Sequence, residues 1–446
     1  MTFSALLPDI VGSLQSGQLD LHTYIDEICN RIDAFDPKIQ ALLPEPDRRA
    51  RLIKDAADLK ARFPDPANRP PLYGIPVGVK DIFRVDGFPT RAGSRLPPEL
   101  FAGPEAACVT KLRAAGALIL GKTVTTEFAY REPGPTRNPH NLDHTPGGSS
   151  SGSAAAVAAG FCPVALGTQT IGSVIRPAAF CGIVGFKPSY GRISTAGLVL
   201  FSESADHVGL FSQDVAGMTL AASLVCSDWK LHLEGLRLAV NPVLGVPEGP
   251  YLTQVSPEAL ATFEGQLALL EEGGYSVRRV AALGDIALIA ARHRRMISAE
   301  MAQVHTQWFS QNEPLYRPQT AAMIRQGQEV KAEELAEGRV ARGRLRAQLE
   351  MLMTESGIDL WVSPAAPGPA PGGISSTGDP AMNLPWTHAG LPTINLPAGL
   401  APNGLPLGLQ FAARFMADER LLVWAEALAK RLSRKGPDLC HSSSST

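Results

Sequence analysis

From Gly74 onward the chain alternates short apolar runs with helical segments, and that alternation limits the possible folds more than any other feature. GIPVGVK, ending at Lys80, reads as a strand, Glu105 to Ala115 as a helix, and Ala117 to Leu120 as a short buried strand. A helix from Ser151 to Gly160 and the strand-like runs PVALG and GIVGF follow, with TINLPAG and LGLQFAA near the C-terminus. Strands interleaved with helices bury their apolar faces by stacking helices on both sides of one sheet. The expectation is a single α/β domain with a central twisted mixed β-sheet.

Ahead of that core, Leu21, Tyr24, Ile25, Ile28, Ile32 and Phe35 fall at helical spacing. They predict a helical N-terminal layer over 1–66, continuous with a core over 67–436. Ala287 to Met353 is expected to be mainly helical, and GRVARGRLRAQLE within it to form a solvated face. The Pro/Gly segment 364–380 reads as a linker or a cleft wall. Leu421, Leu422, Ala425, Leu428 and Leu432 mark a final amphipathic helix, and 437–446 a disordered tail.

Composition excludes several function classes. Charged residues are 19% of the chain with a net charge of -2, too balanced for a nucleic-acid binder. The N-terminus lacks a basic leader and the longest apolar run, Ala154 to Leu166, is too short to span a bilayer, so a cytoplasmic, non-membrane protein is expected. The six cysteines show no metal-ligand spacing and read as reduced, buried thiols.

Three motif matches fail on context. GALILGKT fits the phosphate-loop pattern, but its four central residues are apolar. Gly148 to Gly152 fits G-x-S-x-G with Ser150 as nucleophile, yet a polar NLDHT precedes it where an elbow needs a buried strand. His140 and His144 have i, i+4 spacing, but Pro139 argues against a helix there, so no metal site is expected.

What survives is ALGTQTIGSVIRPAAFCGIVGF. A strand is expected to end at Gly167, and the turn after it gathers the backbone N–H groups of Thr170, Ile171, Gly172 and Ser173, a grouping suited to a developing oxyanion. A serine there still needs a base, and the residues alone do not locate one.

The blocks PGGSSSGSAAAVAAG, LGTQTIGSVIRPAAFCGIVGFKPSYGRIS and GIPVGVKDIF together resemble the amidase signature family. GALILGKTVTTEFA, NLPWTHAGLPTINLPAGL and GLPLGLQ extend the resemblance over nearly the whole chain. It implies an amide hydrolase without metal or organic cofactor. It also implies a triad in which Ser173 is the nucleophile, Ser149, after a cis peptide bond, relays protons, and Lys80 is the base. A base lysine must be desolvated, so Lys80 is expected to be buried and neutral. Ser150, Ser151 and Ser153 are expected to build the turn into the next helix.

Two departures bear on substrate. Ile171 replaces a glycine of the usual T-G-G-S turn, and would be strained at positive φ. Arg176 stands three residues after the nucleophile, an order closest to malonamidase-like members, where the arginine binds the carboxylate of a small malonamate-like amide. The residues leave it open whether Arg176 grips a carboxylate or buttresses the turn through backbone carbonyls. Tyr130, Arg131, Thr145, Gln169, Trp386 and His388 are further pocket candidates. The expected partner is a small-molecule amide, with a homodimer left open. The alternatives are the amidase-like subunit of a glutamine-dependent tRNA amidotransferase, against which T-I-G-S-V-I-R argues, and a catalytically weak binding protein.

Overall fold

In the computed structural model, which describes residues 6–230 and 241–433, ten strands form one mixed sheet. They are β1 (Pro76–Lys80), β2 (Leu118–Thr123), β3 (Val164–Gln169), β4 (Val184–Lys187), β5 (His207–Ser212), β6 (Leu244–Glu248), β7 (Val277–Ala281), β8 (Leu360–Pro364), β9 (Thr393–Leu400) and β10 (Pro406–Ala412). The spatial order is β2-β1-β3-β5-β4-β9-β10-β8-β6-β7. The β2-β1-β3 and β8-β6-β7 ends pair in parallel, while the pairs from β3 to β8 are antiparallel. Every residue of β1, β2 and β3 is buried, because helices cover both faces of a parallel edge. The apparent alternation in GIPVGVK is therefore not an in-out pattern.

Helices α1 (Leu7–Ser16), α2 (Leu21–Ile39) and α3 (Arg48–Arg62) precede the sheet. Asp20 caps α2 by accepting from Thr23 N–H at 3.1 Å. Their apolar stripes join the same hydrophobic core as the strands. Phe35 is the exception: at 48% exposure it leaves the stripe and lies under the Arg31 guanidinium, 5.2 Å from its ring centre. The final helix, Asp418–Leu432, buries Leu421, Leu422, Ala425, Leu428 and Leu432 as expected.

Several other expectations need correction. β3 continues two residues past Gly167, to Gln169, because it pairs with β5 over its full length. Arg342, expected on a solvated face, is 8% exposed, lies 4.2 Å over the Tyr190 ring and donates to the His388 carbonyl. The run GALILGKT is β2 and its entry turn, as its apolar centre requires. Among the described residues no group of His, Cys, Asp or Glu is placed to hold a metal, and no helix is long and apolar enough to cross a membrane. The described cysteines are free and buried. Cys440 and the tail at 437–446 lie outside the described residues.

Candidate active site

Lys80 ends β1, and β3 runs beside it in register, with Val79 opposite Leu166. That places Thr168 near the lysine: Lys80 Nζ donates to Thr168 Oγ1 at 2.8 Å and to Ser149 Oγ at 2.8 Å. Lys80 is fully buried and no carboxylate is ion-paired to it among the described residues. Burial disfavours its charged form and pulls its pKa down to about 7, with buried Asp206 opposing the shift. The amine is thus divided between charged and neutral forms near neutrality, where the sequence implied a neutral one.

Ser149 follows a cis peptide bond from Gly148. The helix Ser151–Ala158 that starts just after it is buried along nearly its whole length. Its small residues allow that: a Cβ on Gly152 would collide with the Ala41 carbonyl and the Val124 amide. Ser150 exchanges hydrogen bonds with the Thr168 backbone, and Ser153 donates to the Leu166 carbonyl at 2.8 Å. These serines fasten the turn to β3, and Ser149 is the one turned to the lysine.

Between β3 and the short helix Ile175–Phe180, the chain makes a tight turn through Thr170 to Ser173. Gln169 builds it: Oε1 accepts from the N–H groups of Val174 (2.8 Å) and Ile175 (2.9 Å), and Nε2 donates to Thr387 Oγ1 at 2.9 Å. The turn's carbonyls are also engaged. His293 Nε2 lies 3.0 Å from the Thr170 carbonyl, Thr387 Oγ1 donates to the Ile171 carbonyl at 2.6 Å, and Arg176 N–H donates to the Gly172 carbonyl at 3.1 Å. By contrast, the N–H groups of Ile171, Gly172 and Ser173 donate to no other described group. Ile171 is not at positive φ, so the strain the sequence raised is absent.

A cavity of about 750 Å³ opens on this turn, lined by Thr170 to Ser173, Arg176, Tyr130, Arg131 and the 375–380 segment. The Pro/Gly segment is thus a cleft wall. Ser173 is 9% exposed there, and its hydroxyl bonds to no other described residue. Arg176 is 3% exposed; Nη2 donates to the Gly148 carbonyl (2.6 Å) and Thr377 Oγ1 (3.2 Å), while Nε and Nη1 are buried without a partner. Desolvation lowers its pKa to about 10, with Asp379 across the cavity opposing.

Of the pocket candidates, Tyr130 and Arg131 line the cavity and four others do not. Gln169 is buried inside the turn it braces. Thr145 Oγ1 accepts from Gly147 N–H, Trp386 Nε1 donates to Tyr251 Oη, and His388 Nδ1 meets His293 Nδ1 at 3.0 Å. Each spends its polar atoms on the scaffold. Sequence reasoning missed Thr168, Thr377, Thr387 and His293; only Thr168 carried a signal, as the first polar residue in an otherwise apolar strand.

The sequence model of the amidase family matches residues 23–422. The chain belongs to the amidase family. A glutamyl-tRNA(Gln) amidotransferase subunit of Roseiflexus castenholzii is 32% identical, over 92% of this chain and 92% of its own. Its namesake from Thermus thermophilus is 33% identical, over 91% and 92%. A crystal structure described as an amidase superposes with a TM-score of 0.86 at 31% identity, covering 96% of this chain and 100% of that one. This amidase is accordingly a hydrolase of carbon–nitrogen bonds other than peptide bonds, on a single α/β domain.

Proposed function

We propose that this amidase cleaves a small, carboxylate-bearing amide through an acyl-enzyme on Ser173. The observation that carries the chemistry is the buried Lys80–Ser149 pair, a lysine whose pKa lies near 7 against a hydroxyl that can both donate and accept. Neutral Lys80 takes the Ser149 proton while Ser149 takes that of Ser173. Ser173 Oγ bonds to the amide carbon, and the oxyanion sits against the N–H groups of Ile171, Gly172 and Ser173. The C–N bond then breaks, and the proton held by Lys80 returns through Ser149 to the leaving amine. Water repeats the sequence on the acyl-enzyme and frees Ser173.

Arg176 supports the carboxylate. A buried guanidinium with two unpartnered nitrogens on a cavity wall is costly until an anion meets it. Malonamate satisfies that demand, and so does glutamine, whose side-chain amide lies on a molecule carrying a carboxylate. The names of the relatives favour the amidotransferase-subunit reading over the malonamidase one. Ile171, free of positive φ, gives no support to the binding-protein reading.

The deciding experiment is ammonia release from glutamine, malonamate and propionamide, by the chain alone and after co-expression with candidate amidotransferase subunits. Glutamine turnover that needs those subunits supports the amidotransferase reading, and malonamate turnover by the lone chain supports the malonamidase one. Equal rates on propionamide would remove the carboxylate from the proposal, and activity surviving in Ser173→Ala would remove the nucleophile.

A further inference from the structure

We infer that His293 and Thr387 are positioning residues that aim the oxyanion N–H groups, each by holding the carbonyl on the far side of the peptide unit. The inference rests on the oxyanion reading above. In a trans peptide the C=O and N–H point in opposite directions, so fixing one aims the other. His293 takes the Thr170 carbonyl at 3.0 Å, which turns the Ile171 N–H away from the histidine. Thr387 takes the Ile171 carbonyl at 2.6 Å, which does the same for Gly172 N–H. The Gly172 carbonyl is held by the backbone of Arg176, which leaves Ser173 N–H facing outward. Three successive carbonyls are held, and the three N–H groups opposite them are left for a ligand.

The tautomers follow from the partners. A carbonyl only accepts, so His293 Nε2 carries the proton and donates to Thr170. With burial holding His293 neutral, its pKa down to about 4, Nδ1 has a lone pair, and His388 supplies the proton across the 3.0 Å Nδ1 to Nδ1 contact. His388 is also buried, behind His293 and outside the cavity lining. Thr387 Oγ1 accepts from Gln169 Nε2, and of the two carbonyls that face its hydroxyl proton Ile171, at 2.6 Å, lies closer than Asn383, at 3.1 Å. Neither residue is among those lining the cavity. Both come from elements remote in sequence: the helix Ile286–Val304 supplies His293 and the helix Leu384–Ala389 supplies Thr387.

Steady-state kinetics of the full chain on its best amide tests this, with His293→Leu, His293→Gln, Thr387→Val and Thr387→Ser. Losing one oxyanion donor outright costs about 10²–10³ in kcat, so misaiming one is expected to cost about 10- to 100-fold. The expected result is that loss in kcat for His293→Leu and Thr387→Val with KM within about twofold, and recovery to within about fivefold of wild type in His293→Gln and Thr387→Ser, which restore a donor. Nitrogen-15 shifts of labelled histidine are expected to show His293 as the Nε2–H tautomer. Unchanged kcat in both donor-less variants overturns the proposal, as does a Gln variant no better than Leu, or an Nδ1–H tautomer at His293. If His293→Leu fails to fold, the Thr387 pair and the tautomer decide alone. A wild type without amidase activity, or an active Ser173→Ala, instead overturns the catalytic reading and is recognised by those two controls.

Discussion

Arg176 Nη2 donates to the Gly148 carbonyl at 2.6 Å, so the guanidinium that faces the cavity also holds the peptide unit leading into Ser149. The two readings of this arginine in the sequence, turn buttress and anion grip, are therefore not exclusive. They separate kinetically. Arg176→Lys is expected to raise KM for a carboxylate-bearing amide about tenfold to a hundredfold, the worth of a charge-assisted hydrogen bond of about 1.5–3 kcal/mol. KM for propionamide stays within about twofold, and the loosened Gly148 contact lowers kcat for both. Equal changes in KM for charged and neutral amides would leave Arg176 with the buttress role only.

The pKa of Lys80, near 7, fixes the direction of a pH profile. Only the neutral amine accepts a proton, so kcat/KM is expected to rise as pH increases through about 7 and to level off above it. Removing a general base costs about 10²–10⁴ in rate, and Lys80→Met is expected to lose at least that much together with the rising limb. A wild-type profile that is flat between pH 6 and 8 would take the base role away from Lys80.

A second buried lysine allows a control that does not touch the site. Lys187 Nζ donates to the carbonyls of Leu391 and Pro188, and burial lowers its pKa to about 7 as well. Unfolded, a lysine titrates near ~10.4. Between about pH 7 and 10 the unfolded chain binds more protons than the folded one, so stability rises with pH across that window and the gain is lost as pH falls toward 7. In urea titrations at pH 7.5 and 9, Lys187→Met is expected to reduce this rise, to which buried Lys80 also contributes, while leaving the kinetic limb at Lys80 in place. A slope equal to wild type would mean that Lys187 keeps its charge in the fold.

The alternation from Gly74 made six of the ten strands legible, β1 to β4, β9 and β10, while β5 to β8 went unread. Lys80, Ser149 and Ser173 were singled out as a triad only by the family resemblance, since the residues alone offered no base. Side-chain direction was legible in neither. Thr145, Gln169, Trp386 and His388 sit in the right blocks, yet each faces the scaffold: Thr145 and Trp386 bond away from the turn, Gln169 braces the N–H groups that follow it, and His388 backs His293. His293 is 123 residues from its partner Thr170 and lies in a helix whose pattern reads as ordinary amphipathic sequence. No local rule connects the two.

The two residues before Ser173 answer differently to substitution, although the usual turn has glycine at both. Ile171 has no positive φ, and its half-buried side chain packs against the core on both sides of the turn. Ile171→Gly therefore relieves nothing: it removes apolar contact and adds about 1 kcal/mol of backbone entropy to be lost on folding. The expected outcome is a destabilisation of about 1–3 kcal/mol in urea unfolding with no gain in kcat. At Gly172 the backbone itself is crowded. A Cβ there would meet Asn383 Oδ1 and would stand 2.8 Å from Pro380 Cβ. Asn383 cannot swing aside cheaply, because its Nδ2 is bonded to the Ala365 carbonyl and to Gln410 Oε1. Gly172→Ala is expected to shift the turn, costing about 1–3 kcal/mol of stability and most of kcat while KM changes little. A rise in kcat for Ile171→Gly, or a wild-type kcat for Gly172→Ala, would reverse this assignment of which position needs to be glycine.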